Sequence, residues 1–100
     1  MAHMYNPPHP GLILAEGLEE LGISASEFAL HLGVSPSTIS RVLTGKSAIS
    51  PTLAIKISKA ISGPSPEVWL QMQAAYDLWQ AQKSIDLSKI MPFPKKADLA

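Results

Sequence analysis

The residue types best suited to chemistry in this chain are small hydroxyls around one arginine, in the segment SPSTISRVLTGK from Ser35 to Lys46. Hydroxyl and guanidinium groups donate hydrogen bonds to phosphate oxygens and to the edges of bases. If the segment is helical, its apolar residues share one face and its polar residues share the other. The outward set is Ser37, Thr38, Ser40, Arg41 and Thr44. The pattern therefore predicts a surface that contacts nucleic acid.

Two short helices are predicted to position these side chains. The first begins just after Ser24, because Ser24 and Glu27 have the spacing of a capping box, which satisfies backbone N–H groups at a helix start. Gly33 ends this helix, since glycine adopts the positive φ that is common just after a helix. Ser35 followed by Pro36 is a typical start for the second helix. A tight turn therefore separates the two.

The apolar and small residues of this segment indicate a helix-turn-helix. Ile39, Val42 and Leu43 form the buried stripe of the second helix. Ala29 supplies a small residue where two steeply crossing helices approach, and Gly33 supplies flexibility between them. The alternative is a helical hairpin in a small bundle that binds nothing, since serine-rich surfaces and capping boxes occur throughout helical folds.

Three further helices are predicted around this pair. One runs from about Pro10 to Leu21, a second begins at Pro51 after Ser50, and the longest begins at Pro66 and continues to about Lys83. The apolar face of the first comprises Leu12, Ile13, Ala15, Leu18 and Leu21, and that of the second comprises Leu53, Ala54, Ile57, Ala60 and Ile61. The helix-turn-helix resembles that of phage-repressor and Cro-like proteins. The expected fold class is all-α, a compact five-helix bundle of the lambda-repressor-like type with a longer C-terminal helix and a partly extended tail.

The last helix carries a stripe of large apolar residues with two predicted uses. The stripe consists of Val68, Trp69, Met72, Ala75, Tyr76 and Trp79. Trp69 and Met72 are predicted to complete the core. Tyr76 and Trp79, which lie further along the helix, are predicted to form a dimer interface, because large amphipathic rings are enriched at subunit interfaces. After the helix the period is lost, so a short extended segment over residues 85–93 is expected, in a tail that is mobile or ordered by a partner.

The loop after the second helix offers a further contact with nucleic acid. Thr44, Gly45, Lys46 and Ser47 combine small residues with a lysine, which suits the clamping of a phosphate. The alternative is a solvated turn. The predicted DNA-binding residues are Ser35, Ser37, Thr38, Ser40, Arg41, Thr44 and Lys46.

The charges of the chain are segregated although their sum is zero. Residues 1–27 contain Glu16, Glu19, Glu20 and Glu27 and no lysine or arginine, whereas residues 28–66 contain Arg41, Lys46, Lys56 and Lys59 and no acid. The basic block coincides with the predicted DNA surface, which supports contact with phosphates. Four charges are few, so tight and specific binding requires two copies on a two-fold operator. A homodimer is therefore expected.

Several classes of protein are excluded by what the sequence lacks. It has no cysteine, hence no disulfide and no thiolate metal site, and its histidines, His3, His9 and His31, are scattered. No zinc-protease, dinucleotide-binding or P-loop motif occurs, so no enzyme, cofactor or metal is expected. No signal peptide and no apolar run near the roughly 18 residues of a membrane span is present, so a cytoplasmic protein is expected.

Three segments together resemble the HigA type of antitoxin, over roughly three quarters of the chain. They are HPGLIL from His9 to Leu14, SPSTISRVLTGK from Ser35 to Lys46, and SPEVWLQMQAAYDLWQAQ from Ser65 to Gln82. The resemblance implies a dimeric repressor of its own operon that binds a palindromic operator and neutralises a small basic toxin that cleaves mRNA. It also implies that Ser37, Thr38 and Arg41 face bases, with Ser35, Ser40, Thr44 and Lys46 close to phosphates. The acidic first quarter suits a basic toxin.

The chain is expected to have three parts. These are a flexible segment over residues 1–8, one DNA-binding domain with a dimerisation helix over residues 9–84, and a tail over residues 85–100. Two other functions stay open. One is a solitary phage-type repressor without a toxin. The other is a protein-interaction adaptor whose helix-turn-helix has lost DNA binding, an alternative motivated by the zero net charge and the aromatic last helix.

Overall fold

The computed structural model describes residues 6–95, which fold into five helices. The helices are α1 (Pro10–Leu21), α2 (Ala25–Leu32), α3 (Pro36–Leu43), α4 (Pro51–Ile61) and α5 (Pro66–Ser84). Residues 6–95 contain no strand. The predicted all-α class and the five helices are therefore confirmed. None of the helices in this part of the chain is long and apolar enough to cross a membrane.

Capping side chains start every helix, as the sequence predicts for four of them. Ser24, Ser35, Ser50 and Ser65 each accept a hydrogen bond from the backbone N–H three residues on. The capping box of α2 is complete, because the Glu27 carboxylate also accepts from the Ser24 N–H at 3.0 Å. The fifth cap, on α1, is a histidine that the sequence does not predict, and it belongs to the buried polar cluster described below.

Two glycines allow the helices to turn and to approach closely. Gly33 has a φ of 73° and ends α2, so the predicted stop between the two helices of the motif is confirmed. Gly11 lies where α1 meets α3, and a Cβ there would collide with the carbonyl oxygen of Val42. The backbone of α1 can therefore sit on α3 only with glycine at this position.

The core lies among all five helices. Its buried apolar side chains are Leu14, Leu18, Phe28, Ala29, Leu32, Ile39, Val42, Ile49, Leu53, Ala54, Ile57 and Trp69. Trp69 is only 1% exposed, and Met72 packs against this cluster, as predicted for both. Burial of each large apolar side chain stabilises the fold by about 1.5–3 kcal/mol. The two helices of the helix-turn-helix are too short to be stable in isolation, so packing against the core stabilises them.

The buried face of α1 agrees with the predicted one at Ile13 and Leu18 and differs from it elsewhere. Leu12 and Leu21 are 47% and 60% exposed, whereas Leu14 and Leu18 are buried. Leu12 and Leu14 cannot share a face, because a helix turns by about 100° per residue. The close approach of Gly11 to α3 selects the face with Leu14 and Leu18. The stripe on α5 also differs, since Val68 and Ala75 are exposed.

A buried polar cluster joins α1, α5 and the loop after α3. The Gln73 side-chain oxygen accepts from the Ile49 N–H at 2.8 Å, and its amide nitrogen donates to Asp77 Oδ1 at 2.9 Å. His9 is the cap of α1, because its Nδ1 accepts from the Gly11 N–H at 2.9 Å. The His9 ring lies 3.5 Å from the Gln73 amide nitrogen and packs edge-on against Tyr76. Both His9 and Gln73 are buried.

The segments outside the helices differ in how they pack. Pro7 is buried, while residues 85–95 are exposed and contain a turn in which the Ile90 N–H donates to the Leu87 carbonyl. Ile85 has extended backbone, and the helical period is lost there as predicted. The flexibility expected of residues 1–8 stays a prediction. The expectations for residues 1–5 and 96–100 lie outside the described residues.

Replacement of Gln73 by Leu is expected to lower the free energy of unfolding by about 1–3 kcal/mol, because the buried Ile49 N–H loses its partner. Urea unfolding followed by tryptophan fluorescence measures the change. Gln82→Leu is the matched control, since Gln82 is exposed on the same helix and should change stability by less than about 0.5 kcal/mol. Equal losses in the two variants would contradict the role of Gln73.

Stability is expected to fall as the pH drops below about 6.5, the ordinary histidine value. Burial lowers the pKa of the His9 imidazole, against smaller opposing effects of the Asp77 carboxylate and a hydrogen bond to the Ser47 backbone. The unfolded chain then binds more protons than the folded one between the two pKa values, so the free energy of unfolding decreases with decreasing pH in that window.

Urea unfolding between pH 5 and pH 8 tests this expectation. His9→Asn keeps a capping side chain without a titratable ring and should flatten the slope contributed by this residue. His31→Asn, which replaces an exposed histidine on α2, is the control for the loss of a histidine. A His9→Asn profile that coincides with that of the unmodified chain would overturn the assignment.

Candidate nucleic-acid interface

The exposed face of α3 is the one that the sequence predicts. Ser37, Thr38, Ser40, Arg41 and Thr44 are all exposed. Ile39 and Val42 are buried beneath them, and Leu43 is half-buried. Because the apolar face anchors α3 to the core, the outward side chains are not needed for packing. The serine and threonine side chains among them are small, which leaves the helix backbone accessible to a groove of DNA.

A groove of about 370 Å³ runs beside α3, between this helix, the following loop and the start of α4. Ser37, Thr38 and Arg41 line it from α3, and Thr52 and Lys56 line it from α4. Ser47 and Ser50 line it between the two helices. We refer to this cleft as the α3–α4 groove. It brings three of the predicted site residues together with hydroxyls and a second cation from elsewhere in the chain.

Arg41 is held in place within the α3–α4 groove. Its Nε donates to the Ser47 Oγ at 3.0 Å. This bond leaves the two terminal nitrogens of the guanidinium for a ligand, and these form the fork that matches the N7 and O6 acceptors of guanine. A side chain already ordered by one hydrogen bond loses less conformational freedom on binding.

The loop after α3 is tied to the end of that helix by backbone hydrogen bonds. The N–H groups of Lys46 and Ser47 both donate to the Arg41 carbonyl, at 2.8 and 3.1 Å, and the Gly45 N–H donates to the Val42 carbonyl at 3.0 Å. Gly45 has a φ of 77°, which makes this closure possible. The loop is therefore a fixed extension of α3 that presents Lys46 to solvent.

Hydroxyls cluster at the start of α3. Ser35 Oγ accepts from the Thr38 N–H at 3.2 Å and lies 2.8 Å from Thr38 Oγ1 and 3.2 Å from Ser37 Oγ. These three side chains therefore support each other at the end of the helix that carries partial positive charge. The arrangement suits an anionic ligand such as a phosphate.

The remaining predicted contacts lie outside the α3–α4 groove. Ser40 and Lys46 are exposed, but neither lines it. Thr44 is exposed too, yet its hydroxyl donates to the Ser40 carbonyl at 2.9 Å. A phosphate oxygen requires a donor, so Thr44 in this conformation offers it only lone pairs. The predicted phosphate contact of Thr44 therefore requires rotation of its side chain.

Four polar residues of the α3–α4 groove are absent from the predicted contacts: Ser47, Ser50, Thr52 and Lys56. Lys56 belongs to the basic block, so the charge pattern is the signal that could identify it. Ser47 follows Lys46 directly in the predicted loop, but its bond to Arg41 depends on the loop backbone and has no local signature. His31 is exposed on α2.

The electrostatics of the α3–α4 groove favour an anion. Arg41 and Lys56 line it and no acidic residue does. Glu16, Glu19 and Glu20 are exposed on α1, outside the groove. Within residues 6–95 no cluster of histidine and carboxylate side chains could hold a metal ion. The groove therefore offers a ligand positive charge and hydrogen-bonding groups.

Comparison with known proteins places this geometry in a family. The helix-turn-helix family model matches residues 14–68. An uncharacterised HTH-type transcriptional regulator of Escherichia coli K12, YddM, is 48% identical over 87 residues, which cover 87% of this chain and 92% of the relative. The match with this relative therefore extends well beyond the two central helices.

Solved structures with similar folds include antitoxins. An addiction-module antidote protein of a HigA family from Coxiella burnetii is 35% identical, and the match covers 89% of this chain and 100% of that one, with a TM-score of 0.73. The Pseudomonas aeruginosa antitoxin HigA, solved with the higBA promoter, is 31% identical, and the match covers 88% of this chain and 99% of that one, with a TM-score of 0.77.

The hypothesis that the Arg41 fork makes a bidentate contact with guanine predicts that Arg41→Ala weakens binding to a specific site by about 1–3 kcal/mol and removes discrimination at one base pair. Titrations on single-base variants of the site measure this change. Lys59→Ala is the matched control, because it removes the same charge from an exposed position on α4 outside the α3–α4 groove. Equal weakening on all sequences would instead identify Arg41 as a phosphate contact.

Proposed function

This chain belongs to the helix-turn-helix family, among the HigA-type antitoxins, and from that membership we propose that it is a sequence-specific DNA-binding antitoxin. We further propose that it represses its own operon as a dimer and neutralises a cognate toxin that cleaves mRNA. The family is a class of DNA-binding regulators rather than enzymes. A repressor of its own operon acts where the DNA is, which corresponds to the cytoplasm in a bacterium.

The DNA-binding proposal rests on the position of the Arg41 guanidinium, which a hydrogen bond to Ser47 Oγ fixes. It lies in the α3–α4 groove among hydroxyl groups, together with Lys56 and without a carboxylate. A surface of this kind can approach both base edges and phosphates. The Pseudomonas aeruginosa HigA that was solved with the higBA promoter has a similar fold, which supports DNA binding by this chain.

The dimer proposal rests on the weak charge of one copy and on the aromatic end of α5. Few phosphates are neutralised by one chain, so two chains on a two-fold operator are needed for tight binding. Tyr76 and Trp79 are half-buried, and their ring centroids are 6.2 Å apart. The Lys83 ammonium lies 4.1 Å from the Trp79 ring. The rings retain exposed surface on α5, which supports their use between subunits.

The toxin proposal rests on charge. Glu16, Glu19 and Glu20 are exposed on α1, and no lysine or arginine occurs in the chain before residue 41. A protein that cleaves mRNA needs a basic surface for the phosphates of its substrate. An acidic face on the antitoxin is therefore complementary to such a partner.

A fluorescence-anisotropy titration on DNA from upstream of the gene, with random DNA as the control, tests the repressor proposal. We expect specific binding of two chains to one two-fold operator, weakened as salt is raised from about 50 to 200 mM. Equal affinity for specific and random DNA, or binding of a single chain, would contradict the proposal. A failure to bind any DNA at low salt would favour the protein-interaction adaptor.

Co-expression with a neighbouring reading frame for a small basic protein tests the toxin proposal separately. We expect a stable complex and relief of growth inhibition. The charge-reversed variant Glu16→Lys/Glu19→Lys should weaken the complex while operator binding is retained. Specific operator binding without any such neighbour would identify a solitary repressor of the phage type.

A further inference from the structure

The segment after α5 exposes an unusual number of large apolar side chains. Ile85, Leu87, Ile90, Met91 and Phe93 are between 56% and 96% exposed, all within residues 85–95. Isolated exposed apolar residues are common, but a concentrated set of them marks a contact surface. We call residues 85–95 the arm. Within the arm, Pro92 and Pro94 also restrict the backbone to extended conformations.

The arm extends away from the helical body. The molecule measures 63 × 26 × 23 Å and its radius of gyration is 18.3 Å, whereas a compact chain of this length has a radius of about 13 Å. Every residue from 81 to 95 is exposed, so the end of α5 and the arm lie outside the core. The arm therefore lies where another molecule can reach it.

A matching apolar groove lies at the other end of α5. Pro7, Pro8 and Ile13 line it on one side, and Val68, Met72 and Ala75 line it on the other. Its volume is about 230 Å³, and no charged residue lines it. We call it the α1–α5 groove. Its size and apolar lining suit one or two of the arm's large side chains.

Two-fold symmetry would bring the arm of one copy to the α1–α5 groove of another. In a dimer whose axis passes between Tyr76 and Trp79, with the two α5 helices antiparallel, position 84 lies as far after the axis as position 71 lies before it. Each arm thus begins beside the partner's Gln71, and Gln71 itself lines the α1–α5 groove. The two contacts are equivalent, so the arrangement closes as a dimer.

We propose that the arm of one copy packs into the α1–α5 groove of a second copy, so that the dimer is formed by exchange of arms as well as by α5. This inference rests on the proposed dimer and adds its principal apolar contact. The arm would also cover Pro7 and Pro8, which would hold the segment before α1 in place. Phe93 and Ile90 are the side chains that fill the groove.

Cysteine cross-linking tests the exchange directly, because the natural chain contains no cysteine. Full-length Ala75→Cys protein is mixed with Phe93→Cys protein that carries a size tag, and the mixture is oxidised. We expect a disulfide-linked heterodimer on a non-reducing gel. Ser26→Cys mixed with the same Phe93→Cys protein is the control, since Ser26 is exposed on α2. A heterodimer yield no greater than that of the control would overturn the proposal.

The double variant Ala75→Cys/Phe93→Cys distinguishes exchange from an arm that folds back. Exchange gives cross-linked dimers, whereas a cross-link within a single chain would overturn it. Sedimentation of the unmodified chain separates this proposal from the proposed dimer. A dimer without the arm cross-link overturns only the exchange, whereas a chain that stays monomeric overturns both.

Truncation of the arm's side chains supplies a measurement that needs no cysteine. Ile90→Ser/Phe93→Ser is expected to weaken dimerisation by at least about tenfold, because two large apolar side chains leave the interface. Leu30→Ser, an 84% exposed position on α2, should leave dimerisation unchanged. Equal dimerisation constants for all three proteins would overturn the proposal.

Discussion

One buried amide, that of Gln73, connects the last helix to the loop that follows α3. Its oxygen accepts from the Ile49 N–H, which would otherwise be a buried donor without a partner. Its nitrogen donates to Asp77, one turn further along α5. Because Ile49 lies just before the start of α4, this contact sets how α3, the loop and α4 are placed relative to each other. The shape of the α3–α4 groove depends on it.

The helix that carries the candidate DNA contacts has little stability of its own. α3 is eight residues long and carries serine, threonine and proline, whereas isolated helices shorter than about 12 residues are marginal in water. Its stability comes from Ile39 and Val42 in the core, from the Ser35 cap and from the contact with Gly11. Its outer face is therefore free to carry residues suited to binding. Because the buried face of α3 provides stability and the outer face provides binding groups, a chain with zero net charge can still present a groove without acidic residues.

The parts of this fold that can be predicted from sequence are those set by neighbours along the chain. Serine caps, prolines in first turns and Gly33 mark the helix boundaries, because each acts within three or four residues. The predicted face of α1 is right for Ile13 and Leu18 but wrong for Leu12 and Leu21, and it misses Leu14. The run LILA from Leu12 to Ala15 is apolar on every side, so periodicity does not choose a face there. The contact between Gly11 and Val42 makes that choice, and it exists only in the folded chain.

The candidate site is predictable in the same partial way. The outward face of α3 follows from helical spacing, but the opposite wall of the α3–α4 groove, with Lys56, requires the packing of α4. His9 and Gln73 could not be identified as interior residues, because any hydrophobicity pattern places polar side chains at the surface. Their burial is possible because both have hydrogen-bond partners in the folded chain. His9 accepts from the Gly11 N–H, and Gln73 accepts from the N–H of Ile49, which lies in a loop far from Gln73 in sequence.

The same polar cluster connects the proposed dimer face with the proposed DNA face. Tyr76 packs on His9, His9 lies beside Gln73, and Gln73 holds Ile49 at the end of the loop. Because these contacts are closely packed, a partner that shifts Tyr76 would also shift His9, Gln73 and the loop at Ile49. Two copies joined through α5 would therefore present their α3 helices with a fixed spacing, which is the condition for recognising two half-sites at once.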